Sequence, residues 1–401
     1  MRKANIIAGL DVGSSEIKIL VAQKKPQKPE LEVLAQASEV SSGVRRGVVA
    51  NPEEVSKKIY SVLSQVQNKI SQKIDSVVVN IGGSHIFSNS SHGVVAVSRA
   101  DQKISQEDIE RVMQAAQAFS LPSNKEIISV FPKEFIVDGQ GQIKDPLGMA
   151  GVRLEVEILA ICAFSPYLKS LSEAVLDAGL QIDDIILTPL ASAKSVLTPK
   201  QKELGVGILD IGAGTTSLAV FEEGDLIHTA IFPIGSDHIT NDIAIGLKSD
   251  LDIAERIKLE FGSCLPTKAA KQIKIERTEE PLIFPQKMLV KIIEARASEI
   301  FDQVQKELKK ISRDKLLPAG IILTGGGAKL PKMVDLSKRE LKLPCHIGTP
   351  QGFIGIEEDP CLSTVCGLIL EKVDFEEEGE SSNFSKDTIQ RLKKMFKIFI
   401  P

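Results

Sequence analysis

The feature that most constrains this chain is a strand–turn–strand unit that occurs twice. Ile6 to Leu10 reads as a short buried strand, breaks at Asp11-Val12-Gly13-Ser14-Ser15, and resumes at Ile17 to Ala22. Val206 to Leu209 repeats the pattern, followed by Asp210-Ile211-Gly212-Ala213-Gly214-Thr215-Thr216 and the strand Leu218 to Phe221. The two aspartates stand 199 residues apart. That spacing is too long for a short-period array and predicts two related α/β domains. A third glycine turn, Gly325-Gly326-Gly327, follows the strand Gly320 to Thr324.

The intervening segments fit this reading. Residues 52–72 carry Val55, Ile59, Val62, Leu63, Val66 and Ile70 at helical spacing and lead into a strand at Ser76 to Ile81. Ser105 is placed to cap a helix over Glu107 to Phe119. Strand-rich runs at Glu126 to Val137 and Val152 to Phe164 flank a turn-rich stretch, and a helix over 166–179 stops at Gly179. Further helices are predicted over 237–247, 250–261 and 286–311.

Composition narrows the function classes. With 43% hydrophobic and 25% charged residues the chain is ordinary globular material. A net charge of −4 argues against a protein built to grip nucleic acid. The apolar run Ile158 to Phe164 is far short of a membrane span, and Asp11 interrupts the N-terminal apolar run too early for a signal peptide. A cytoplasmic placement is expected, with Cys162, Cys264, Cys345, Cys361 and Cys366 as reduced thiols.

The turns carry the chemistry. Glycine and small residues let backbone N–H groups converge on a polyphosphate. Asp11 and Asp210 would repel phosphate directly, so they make sense with a hard cation between, Mg²⁺ through its waters. Lys18 adds compensating positive charge.

At this point a resemblance enters. Gly9 to Ser15, Gly207 to Thr216 and Ile322 to Ala328 resemble the two phosphate loops and the adenosine loop of the actin–hexokinase–Hsp70 superfamily. Asn80-Ile-Gly-Gly-Ser-His-Ile86, Asn89 to Gly93, Phe135 to Gly139, Asp145 to Glu155, Pro233 to Gly246 and Ala254 to Lys258 are similar to stretches of the bacterial FtsA cell-division family. The resemblance implies an actin-like fold of two related α/β domains around a nucleotide cleft, with a family-specific inserted subdomain. It implies ATP contacts from Asp11, Gly13, Ser14, Ser15, Lys18, Asp210, Gly212, Gly214, Thr215, Thr216, Glu255, Lys258, Gly325, Gly326, Gly327 and Lys329, with Mg²⁺ at Asp11 and Asp210. Glu255 and Lys258 would serve the ribose and base. His85, His92 and His238 match motif positions but are expected in turn or packing roles. Many relatives carry Asp where this chain has Ser217, and often a basic residue where it has Glu16. A hydroxyl is no general base near neutral pH, so binding is expected and efficient hydrolysis is not.

The same resemblance divides the chain. Residues 1–83 with 164–200 form the first actin-like domain, 84–163 the insert, and 201–227 with 312–372 the second domain. Residues 228–311 form an outer subdomain, the expected FtsZ-binding part. Five acidic residues between Asp374 and Glu380 predict a flexible linker over 373–387. Residues 388–401 then read as an amphipathic helix lying in a membrane surface. Ile389, Leu392, Met395, Phe396, Phe399 and Ile400 share one arc, and Arg391, Lys393, Lys394 and Lys397 supply charge for anionic lipid.

The expected function is an ATP-binding cytoskeletal adaptor. It polymerises head to tail on the cytoplasmic face of the membrane, anchors FtsZ filaments at the division site and helps recruit later division proteins. The alternatives are a PilM-type pilus-assembly adaptor and a sugar or carboxylate kinase of the same superfamily.

Overall fold

The computed structural model describes residues 6–25, 28–266, 272–276 and 280–380. The predicted membrane segment and the outer part of the acidic linker lie outside the described residues.

The first half opens with β1 (Ile6–Val12), β2 (Glu16–Lys24) and β3 (Leu31–Val40), then a small hairpin of β4 (Val44–Arg45) and β5 (Val48–Val49). α1 (Pro52–Ile70) and β6 (Ser76–Ile81) follow. The chain leaves for an insert built of β7 (Phe87–Ala96), α2 (Gln106–Gln117), β8 (Lys125–Val137), β9 (Gln140–Ile143) and β10 (Arg153–Phe164). It returns through α3 (Ser165–Asp177), β11 (Gln181–Leu187), α4 (Thr188–Val196) and α5 (Pro199–Leu204). The second half comprises β12 (Val206–Ile211), β13 (Thr216–Glu222), β14 (Asp225–Phe232), α6 (Ser236–Leu247), α7 (Leu251–Phe261), β15 (Gln272–Ile275), β16 (Leu282–Pro285) and α8 (Gln286–Lys310). It closes with β17 (Ile321–Thr324), α9 (Met333–Leu341), β18 (Cys345–Ile347), β19 (Phe353–Ile354) and α10 (Ser363–Glu380).

The two halves share one sheet plan. The first sheet runs β11-β6-β1-β2-β3-β19 and the second β18-β17-β12-β13-β14. In each, the Asp-bearing strand pairs antiparallel with the next strand and parallel with a strand that arrives later. Both sheets are covered on two faces, which is why their strands read as continuous apolar runs instead of alternating ones. α1 and α3 cover one face of the first sheet, with Val55, Ile59, Val62, Val66 and Leu171 in its core. α4 and α10 cover the other and cross closely: a methyl at Gly367 would stand 1.7 Å from the Ala191 carbonyl. α6, α8 and α9 bury Ile239, Ile293, Phe301 and Leu336 against the second sheet.

The insert is a separate antiparallel sheet, β7-β10-β8-β9, with its own core of Ile109, Met113, Phe135, Leu154 and Val156 under α2. Ser105 caps α2 through a reciprocal bond with Asp108, as the sequence predicts. Lys144 of the insert reaches across to Asp225 of the second half at 3.2 Å.

Two expectations need correction. α10 does not belong with the second domain: Val365, Cys366, Ile369 and Val373 pack on Ile7, Leu20, Ala22 and Leu31 of the first sheet, and β19 extends that sheet beside β3. Nor does an irregular linker begin at residue 373, because the helix runs on to Glu380. Glutamate is a good helix former. Lys372, 3.5 Å from Asp183 and 3.8 Å from Glu376, and Lys194, paired with Asp374, hold the acidic turn down.

Candidate functional site: a cleft between two matched turns

Asp11 and Asp210 are each the last but one residue of their strand, and each turn closes the same way. Gly13 N–H donates to Glu16 O at 3.1 Å, and Gly212 N–H to Thr215 O at 2.9 Å. Both glycines are tightly placed: a methyl would clash at Gly13, 2.7 Å from its carbonyl partner, and would crowd Gly212, 3.0 Å from its own. The third turn approaches more closely still. Gly325 has φ +80°, where L side chains are strained, and its missing methyl would fall 2.3 Å from Asp210 Oδ1. The three turns enclose a cavity of about 410 Å³, within the size range of small-molecule sites.

Each aspartate is buried and half-satisfied. Asn80 Nδ2 donates to Asp11 Oδ1 at 2.7 Å, while Asn80 Oδ1 accepts from Val12 N–H at 2.7 Å. Ser192 and Thr364 hydroxyls donate to Asp210 Oδ2 at 2.6 and 3.1 Å. Asp11 Oδ2 and Asp210 Oδ1 have no hydrogen-bond partner among the described residues. Burial raises the Asp11 carboxyl to about 6, against the pull of Lys18 and with a further push from Asp210. Burial likewise raises Asp210, opposed by its two hydroxyl bonds. Two like-charged carboxylates in one buried wall, each with a free oxygen, suit a hard dication. Lys18 pairs across the hairpin with Asp11. Burial pulls its pKa down, but Asp11 and Glu16 outweigh that and the net shift is upward.

The other end of the cleft is built by the start of α6 and by α7. Ser236 and Asp237 N–H groups donate to Gly212 O and Ala213 O, which docks the helix on the second turn. Lys258 is buried, 2.7 Å from Glu255 and 2.8 Å from Thr240 Oγ1. Leu259, Leu330 and Pro331 add an apolar shelf, and Lys329, bonded to Asp359 at 2.8 Å, stands at the margin.

Comparison with known proteins decides the family. Residues 83–162 match the family model described as an SHS2 domain inserted in FtsA, and residues 207–367 match that of cell division protein FtsA. The chain is 35% identical to the FtsA of Pseudomonas aeruginosa over 98% of both chains. It is 35% identical to that of Bacillus subtilis, over 92% of this chain and 84% of that one. The chain belongs to the bacterial FtsA family of cell-division proteins. Solved structures agree on an actin-like fold. A PilM–PilN type IV pilus biogenesis complex superposes with TM-score 0.67 at 18% identity, over 92% of this chain and 98% of that one. MreB 5 of Spiroplasma citri bound to AMPPNP gives 0.58 at 14% identity, over 94% and 99%.

As an FtsA-family chain, it brings nearly all of the expected ATP residues together: Asp11, Gly13, Ser14, Ser15, Lys18, Asp210, Gly212, Gly214, Thr215, Glu255, Lys258, Gly325, Gly326, Gly327 and Lys329 all line the cleft. Thr216 does not. It opens β13 fully buried, its hydroxyl donating to Ile234 O at 2.8 Å. Strand alternation turns Thr215 and Ser217 to the cleft and Thr216 away. Asn80 and Ile81 end β6 of the first sheet, as the strand expected over Ser76 to Ile81 requires. Sequence reasoning missed Asn80 as a support for Asp11, Thr188, which accepts from Asn80 Nδ2 at 3.2 Å, and Ser192 and Thr364 as supports for Asp210; the one signal for Asn80 was an amide at the end of an otherwise apolar strand. Of the histidines, His238 Nδ1 accepts from Gly235 N–H at 3.1 Å and His92 lies 2.9 Å from Glu155. His85 packs edge-on to Tyr167, and burial holds it down to about 4.

Proposed function

We propose that this cleft binds ATP with Mg²⁺ and that the bound chain assembles into filaments that tie FtsZ to the membrane. The observation that carries the nucleotide reading is the pair of free carboxylate oxygens, on Asp11 and Asp210, beside turns in which Gly13 and Gly325 leave no room for a side chain. Backbone N–H groups of the first two turns cradle phosphates, Lys18 offsets their charge, and Glu255 and Lys258 meet the ribose and base. Bound Mg²⁺ would neutralise phosphate charge next to the two aspartates. Ser217, 3% exposed and opposite Asp210 in the β12–β13 ladder, offers a hydroxyl where a base would be needed. Binding without efficient hydrolysis follows.

The wider role rests on family membership and the sequence. The insert, about residues 84–163, makes the head-to-tail contact, and a heterologous contact of that kind gives open filaments. The outer subdomain of the second half, about residues 228–311, receives FtsZ. Residues 388–401 attach the filament to anionic lipid, each helix weakly and the polymer firmly. Among the described residues no helix is long and apolar enough to cross a membrane, in keeping with peripheral attachment on the cytoplasmic face. Later division proteins would join this assembly.

Liposome co-sedimentation, with and without FtsZ, tests the assembly directly. The full chain should pellet with anionic vesicles and carry FtsZ with it; a truncation at residue 386 should do neither while still binding Mg²⁺–ATP by calorimetry. A truncated chain that pellets as well as the parent removes the terminal anchor.

A further inference from the structure

The phosphate end of the cleft holds more fixed negative charge than free positive charge. Every lysine that lines the cleft, Lys18 at this end and Lys258 and Lys329 at the other, already faces a carboxylate: Lys18 lies 3.2 Å from Glu16, Lys258 2.7 Å from Glu255, and Lys329 2.8 Å from Asp359. Asp11 and Asp210 add two more carboxylates. A polyphosphate seated there calls for a cation that no protein group has already engaged.

The β4–β5 hairpin, Val44-Arg45-Arg46-Gly47-Val48-Val49, brings one to the edge of the cleft, next to the lining residue Gly47. Gly47 lines the cleft, and its N–H donates to the Ser14 hydroxyl of the first turn at 2.9 Å. On the other side the tip touches the second turn: a methyl at Gly214 would stand 3.0 Å from Arg46 Cα and 2.6 Å from Ser14 Oγ. A methyl at Gly47 would stand 2.8 Å from Gly83 N, where the insert begins. The hairpin tip is therefore wedged among both phosphate turns and the root of the insert. Arg46 itself holds φ +50°, an unfavourable conformation for a long side chain that the surrounding turn imposes. Its side chain is exposed and has no hydrogen-bond or ion-pair partner among the described residues.

We infer that Arg46 is the ligand of the outermost phosphate, its guanidinium folding over a nucleoside triphosphate held between the two turns. This rests on the nucleotide reading above and adds a residue that neither the glycine motifs nor the FtsA-like motifs single out. Guanidinium suits the task because its planar fork of donors matches phosphate oxygens two at a time. A diphosphate ends one phosphate short of that contact, so Arg46 distinguishes ATP from ADP, whereas Lys18 and the glycine turns serve both.

The test compares Mg²⁺–ATP with Mg²⁺–ADP affinity by calorimetry on the full chain. Arg46→Gly removes the cation while suiting the positive φ, so the backbone is not put at risk; Arg46→Ala is its companion. Both should weaken ATP binding about tenfold or more, the scale of a charged hydrogen bond, and shift ADP by less than twofold. Arg46→Lys should retain part of the preference, and Arg45→Ala should leave the ATP-to-ADP ratio as it is. Equal weakening of ATP and ADP, or no weakening of either, overturns the assignment. A parent chain that binds neither nucleotide overturns the cleft reading itself, which is a different result.

Discussion

The two Asp turns are alike in backbone and unlike in support. In the first, one Asn80 amide from the neighbouring strand β6 holds both Asp11 and the Val12 N–H. In the second, hydroxyls from two helices, Ser192 on α4 and Thr364 on α10, share the Asp210 oxygen and lie 3.0 Å from each other. The same task, holding a carboxylate with one oxygen left free, has been met once from within a sheet and once from the helix layer between the sheets. A repeated backbone plan therefore does not carry its supporting side chains with it. The electrostatic setting differs only in what opposes it: burial raises both carboxyls, Asp11 to about 6 against the pull of Lys18 and the Asn80 amide, and Asp210 against the pull of its two hydroxyls and Lys18.

The largest expected effect breaks the pair. Asp210→Ala and Asp11→Ala should each weaken Mg²⁺-dependent ATP binding by at least about tenfold, or about 1.4 kcal/mol. Both carboxylates are held above their usual range by burial, so the nucleotide-free variants should melt no lower than the parent, binding having been obtained at some expense of stability. Calorimetry alongside thermal denaturation reads both quantities. If only one variant loses Mg²⁺ dependence, the two turns are not equivalent cation supports.

A pH titration sharpens the difference between them. Asp11 binds its proton more tightly in the folded chain, near 6, than when unfolded, near 3.8. Stability of the nucleotide-free chain should therefore fall as pH rises from about 4 to 6 and level off above. Mg²⁺ must displace that proton, so Mg²⁺–ATP affinity should weaken as pH drops through about 6. Asn80→Ala should move that midpoint upward and cost about 1–3 kcal/mol, because Val12 N–H loses its buried acceptor. A midpoint unmoved in Asn80→Ala would detach the titration from Asp11.

The smallest effect lies on the second turn, where support is doubled. Ser192→Ala or Thr364→Val alone should cost about 1 kcal/mol and change Mg²⁺–ATP affinity by less than about threefold, since the other hydroxyl remains. The double variant should exceed the sum of the two, as expected for partners in one network. Strict additivity in urea denaturation would mean that the hydroxyls act independently.

Much of this architecture was legible beforehand because it is written in local pattern. The Asp-x-Gly turns, the amphipathic α1 and α8 and the Ser105 cap of α2 all follow from residue type and spacing within a dozen positions. β7 was not legible: Phe87–Ala96 is rich in Ser, Asn and His, and becomes a strand because β10 pairs along its length. α10 was mistaken at both ends for the same reason. Its acidic tail reads as a solvated linker until Lys194 of α4 meets Asp374 and Lys372 of the same helix, tied to Asp183 of β11, meets Glu376.

The amino-acid sequence by itself determined the two related halves, the glycine turns with their aspartates and the FtsA-family membership, since backbone reach and turn chemistry are local properties. Only the tertiary structure decided which side chains complete the cleft. Asn80, Ser192 and Thr364 reach the aspartates over separations of 69, 18 and 154 residues. Thr216 is turned away by strand alternation, and the Arg46 hairpin is seated where two distant glycines, Gly83 and Gly214, and its own Gly47 leave room. Hydrogen bonds and close contacts between residues far apart in the chain depend on how the layers pack, and no local pattern records that.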